Sequence, residues 1–104
     1  MEKITTFEQI KALKKGDKVT AVESGDTCRM IFIGFSEVDK SGIFILSHSR
    51  LSAKVVTEKD LQRPHSTFFT GMYDSQTVGK EMIRQMEVGI RQTKRIYLND
   101  QSEF

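Results

Sequence analysis

A chain of 104 residues with 38% apolar and 29% charged content is globular in composition and long enough for one core without metals or disulfides. Its lone cysteine, Cys28, excludes an internal disulfide, and its apolar runs fall far short of the roughly 18 residues of a membrane span. The net charge of +2 is too small to name a partner, although residues 76–95 carry five basic and only two acidic side chains.

The opening "TTFEQIKALKKGDKV" reads as a short helix over residues 7–15. Thr6 followed by Gln9 fits a capping box, and Phe7, Ile10 and Leu13 share one side. Gly16 can take the left-handed conformation that closes a helix. Strand patterns follow. "KVTAVES" (18–24) alternates, and Gly25-Asp26 marks a turn. "TCRMIFIGFSEV" (27–38) is apolar on both faces, with Cys28, Met30 and Phe32 opposite Ile31, Ile33 and Phe35. That pattern predicts a strand covered on both faces. Gly34 within it predicts a bulge or bend. "IFILSHS" (43–49) returns as the antiparallel partner, "AKVVTEKDL" (53–61) is a weaker strand, and "RIYLN" (95–99) is placed to close the sheet.

The segment "QRPHSTFFTGMYDSQ" (62–76) fits neither period and reads as an aromatic connector. In it Phe68 and Met72 are expected to be buried, while Phe69 and Tyr73 reach the rim. "SQTVGKEMIRQMEVGIRQTK" (75–94) is the strongest helix, with Asp74 or Ser75 as its cap. At roughly 100° per residue, Val78, Met82, Ile83, Met86 and Ile90 fall in a band of about 140°, expected to lie on the sheet. Gly79 and Gly89 share that band and predict a close backbone approach. Lys80, Arg84, Arg91, Lys94 and Arg95 form a basic rail on the opposite side, with Glu87 spaced to pair with Arg84 and Arg91.

Short strands, a bend-making glycine and "KKGDKV" leading into the first strand resemble a small SH3-like barrel over about residues 16–61. Barrels of that kind bind nucleic acid, peptides or other proteins, which the resemblance carries over as an expectation only. The fold expectation is α+β, a single domain over residues 1–104. A strongly bent antiparallel sheet or partial SH3-like barrel of four to five strands carries a short N-terminal helix and a long C-terminal amphipathic helix packed on it.

Little in the chain points to catalysis. His48, His65 and Cys28 show no spacing that would pair a thiol with an imidazole, and no metal, nucleotide or nucleophile motif is present. The expectation is a non-enzymatic binding protein with no catalytic residue, metal or cofactor. The absence of a signal-peptide pattern after Met1, with a single cysteine, sets the further expectation of a cytoplasmic protein. The first functional expectation is recognition of a phosphate-bearing ligand, nucleic acid or nucleotide. Arg63, Lys80, Arg84, Arg91 and Lys94 would supply charge, and Phe69 and Tyr73 would supply stacking. The alternative is a protein-interaction module, such as an inhibitor or small regulatory subunit, with self-association into a homo-oligomer.

Overall fold

The computed structural model describes residues 2–47 and 49–102, with side chains over 2–47 and 52–89. Its frame is a six-stranded antiparallel sheet of strands β1 (Lys3–Ile4), β2 (Lys18–Glu23), β3 (Asp26–Ser36), β4 (Ser41–Leu46), β5 (Ser49–Thr57) and β6 (Ser66–Thr70). The helices are α1 (Phe7–Lys11), α2 (Glu58–Leu61) and α3 (Ser75–Ser102). The strand order is β1-β6-β2-β3-β4-β5. The sheet is not closed, and β1 and β5 are its edges.

Two expectations about strands are corrected here. There are six strands rather than four or five, because the aromatic connector contains β6, which pairs along its whole length with β2, from Ser66–Glu23 to Thr70–Val19. The residues expected to close the sheet, 95–99, belong to α3 instead. The weak 53–61 strand divides at Thr57, whose hydroxyl accepts the Asp60 amide in a capping box that starts α2. One strand feature is as expected: the β3–β4 register shifts between Phe32 and Gly34. The β2–β3 turn sits one residue earlier than its sequence pattern implies, at Ser24–Gly25, both with positive φ as a two-residue hairpin loop requires.

Alternation sorts the strands into two faces. The inner face holds Val19, Ala21, Met30, Phe32, Phe44, Val56 and Phe68, joined by Ile4, Leu61 and by Phe7 and Ile10 of α1. Val56 of β5 and Phe68 of β6 share this cluster although four strand spacings, roughly 19 Å in a flat sheet, separate their strands. The sheet therefore bends around its core. Lys54 of β5 spans the opening to pair with Glu23 of β2 and lies 5.9 Å from the Phe68 ring. Helix α1 begins with the Thr6–Gln9 capping box, as expected, but ends at Lys11, short of residue 15. The chain then turns so that the Gly16 amide donates to the Phe32 carbonyl, and Gly16 uses its positive φ to enter β2 rather than to cap a helix.

Candidate interaction surface

Helix α3 starts where Asp74 accepts the Gln76 amide and the Thr77 hydroxyl, at 3.1 and 2.6 Å. These bonds hold the Asp74 carboxyl below its ordinary range, the Thr77 hydroxyl contributing most. The helix then crosses the outer face of β2 and β6, where Val78 packs with Val22 and Phe69, and Met82 lies at the margin.

The rest of the seat is polar. Glu81 accepts hydrogen bonds from the Thr67 hydroxyl of β6, from Arg84 and from Gln85. Gln85 donates to the Val22 carbonyl at 2.9 Å and accepts the Gly25 amide at 3.3 Å. Arg84 also donates to the Pro64 carbonyl at 2.9 Å. Glu81 and Gln85 are 8% and 3% exposed, whereas Ile83 and Met86 are 58% and 63% exposed.

The helix is thus rotated from the expected orientation. Its Ile83–Met86 side faces solvent, and Arg84 is drawn inward. The cause lies in the sheet beneath. Thr67, the Val22 carbonyl and the Gly25 amide all sit under the helix, and an unmatched buried polar group costs about 1–3 kcal/mol. A stripe of Ile and Met could not pair with them. Glu81, Arg84 and Gln85 do, and no described buried side-chain polar atom is left without a partner. Burial pushes the Glu81 carboxyl up, but hydrogen bonds from Arg84 and Thr67 and the Arg84 charge outweigh it, leaving Glu81 below the usual carboxylate range. Glu81 in turn holds the Arg84 guanidinium further toward its charged form. The two helix glycines are not close-approach points either: a side chain at Gly79 or Gly89 would meet no atom within 4 Å.

Among the described residues, the expected ligand-binding side chains do not converge. Phe69 is 6% exposed and Phe68 is fully inside, because they point to opposite faces of one strand and both faces are covered there. A buried ring has no face to offer a base, so the stacking expected of Phe69 is corrected. Met72 is exposed rather than buried. Arg63 is exposed at α2 and pairs with Asp60 at 3.1 Å. Arg84 serves Glu81 rather than Glu87. Lys80 is exposed on the back of α3. The side chains of Arg91, Lys94 and Arg95 lie outside the described residues, as does His48.

Tyr73 is exposed, with the Arg29 guanidinium 5.4 Å from its ring centre. Lys18 approaches the Met72 sulfur at 3.8 Å. Lys18, Arg29 and Met72 border a concavity of about 170 Å³ that Thr20, Ile31 and Ser47 also line. That is small against the roughly 300–1,000 Å³ of an enclosing ligand pocket.

A further surface lies on strands whose two-faced apolar pattern predicts cover on both sides. Among the described residues, the side chains of α3 cover only the β2–β6 half of the outer face. On the other half, the paired positions Ile31–Ile45–Ala53 and Ile43–Val55 form two cross-strand rows, with Ile33 in the bulge beside them. Ile33, Ala53 and Val55 are exposed and the three other isoleucines half-buried. The two-faced apolar pattern of β3 and β4 thus signals apolar surface on both faces, but only one is covered by this chain's described residues. Nearby, Asp39, Lys40, Glu58, Lys59 and Gln62 rim an open groove next to Val55. Among the described residues no three of His, Cys, Asp and Glu gather where a metal could sit, and no helix is long and apolar enough to cross a membrane. Comparison with protein-family models, curated proteins and solved structures gives no match to this chain.

Proposed function

We propose that the chain is a protein-interaction module, and that its docking surface is the bare outer half of the sheet formed by β3, β4 and β5. The observation that carries this reading is the apolar surface of Ile31, Ile33, Ile43, Ile45 and Val55, rimmed by the charged groups of the 39–40 turn and of α2. An apolar centre with a polar rim is the anatomy of a protein interface, and contiguous apolar surface on a folded domain marks a place where something docks. The partner this surface fits is a protein presenting an apolar helix face or strand of its own. We read the scaffold as a partial, open SH3-like barrel. In favour are the β2–β5 meander, the one-turn α2 before a last strand that returns to β2, and the bulge in β3.

Recognition of a phosphate-bearing ligand is the second reading. It is supported by Arg29 beside the exposed Tyr73 ring and by Lys18, which lines the adjoining concavity with Arg29. The two readings separate by experiment. A photo-cross-linking residue at Val55 should join the protein to a discrete partner in the cells that make it, and the same residue at Glu2, on the opposite edge, should not. Binding should survive about 0.5 M salt, where phosphate contacts weaken steeply. Loss of the partner on adding salt, with equal cross-linking from both positions, would favour the phosphate reading instead.

A further inference from the structure

We infer that α3 is also a self-association element: the helices of two copies pair antiparallel about Ile83 and Met86. The inference stands apart from the sheet surface above and uses a different set of side chains. Ile83 lies two residues beyond Glu81 and Met86 two beyond Arg84, each about 160° round the helix from a residue of the polar seat. They therefore occupy the flank opposite Glu81 and Arg84, and both are more than half exposed. Gly79 shares the flank and has open space around its Cα.

The charges specify the occupant. Taking Ile83 and Met86 as the a and d positions of a helix seam, Lys80 and Glu87 fall one residue after successive d positions, on the same rim of the seam, and both are exposed. A two-fold axis between two antiparallel copies sets Ile83 of each against Met86 of the other. It sets Lys80 of each against Glu87 of the other, so every charge meets its opposite. A parallel pair brings Lys80 opposite Ser75 and Glu87 opposite Met82, and matches neither charge. The surface is complementary to itself in one direction and one register, which is the requirement for a second copy of this chain.

The free strand edge is the poorer route to self-association. Lys54 projects inward from β5 and is held by Glu23 and the Phe68 ring, and an inward charge on an edge strand opposes strand addition. A seam centred on two apolar residues per copy is far smaller than the roughly 800 Å² per partner of a standard interface. The expected association is therefore weak, with monomer at about 10 µM and dimer gaining toward about 1 mM at low salt.

Sedimentation velocity over that concentration range tests the pairing. Met86→Glu should remain monomeric throughout. Lys80→Glu and Glu87→Lys should each weaken the dimer roughly fivefold or more, because two attractive pairs become two repulsive ones. The double variant Lys80→Glu/Glu87→Lys should return close to the parent affinity, an outcome that a merely structural role for either residue would not give. All three positions changed are solvent-exposed, so far-UV melting curves should match the parent and show that folding is intact. A parent chain that is strictly monomeric at about 1 mM, a Met86→Glu variant that still dimerises, or a double variant no better than the single ones would overturn the inference.

Discussion

Replacing Glu81 by Ala tests how α3 is held. Glu81 accepts hydrogen bonds from the Thr67 hydroxyl, Arg84 and Gln85, and it is almost fully buried. Truncation strands the Thr67 hydroxyl and leaves a half-buried guanidinium with only the Pro64 carbonyl and that same hydroxyl as protein partners. Hydrogen bonds to charged groups contribute about 1.5–3 kcal/mol, so the loss should fall in that range. Ile83→Ser removes a larger apolar side chain from an exposed site and should change stability by no more than about 0.5 kcal/mol. Urea denaturation followed by far-UV circular dichroism at about 10 µM, below the self-association range, reads both. With a slope of about 1–3 kcal/mol/M, the Glu81→Ala midpoint should fall by about 1 M, while Ile83→Ser stays near the parent. If Ile83→Ser is the more damaging of the two, the helix is seated on its apolar stripe and the polar seat is wrong.

Gly42→Ala should cost about 1–3 kcal/mol by overpacking, since its Cβ would stand 2.8 Å from Ile10 Cγ2 and 2.9 Å from the Phe44 ring; thermal melts check this. Gly89→Ala should instead stabilise, by about 0.8–1 kcal/mol, because a helix-interior glycine with open space around it gains only from the change. A rise in Tm of about 4–8 °C per kcal/mol would register it. Glu81 and Asp74 are both held below their ordinary values, so the fold favours their charged forms. The stability they contribute is present above the ordinary carboxylate range and is lost as pH falls through the lowered folded values. Melts from about pH 6 down to pH 3 should therefore show falling Tm, and Glu81→Gln should flatten part of that fall.

Much of the frame was legible because local signals and tertiary demands agree there. The Thr6 capping box, the Gly34 bulge and the β2–β3–β4 hairpins all follow from residue type and alternation. Strand β6 was hidden because "STFFT" is buried on both faces at Phe68 and Phe69, which removes the alternation that marks a strand. The seat of α3 was hidden for a different reason. Hydrophobic periodicity ranks helix faces by oiliness, but the surface below offered a hydroxyl, a carbonyl and an amide in need of partners. No pattern within residues 75–94 records that need; it arises only once Thr67 and Val22 are brought together by the β2–β6 pairing. The same step explains the candidate surface. With the helix committed to β2 and β6, the outer side chains of β3, β4 and β5 lose the cover that their two-faced pattern implied.

The orientation of α3 decides both what the protein buries and what it leaves for partners, and nuclear Overhauser contacts from methyl-labelled protein measure it most directly. Contacts from the Val78 methyls to the Val22 methyls and the Phe69 ring, with Ile83 showing none to either, are the expected result. Contacts from Ile83 to Phe69, with Val78 turned to solvent, would contradict the account.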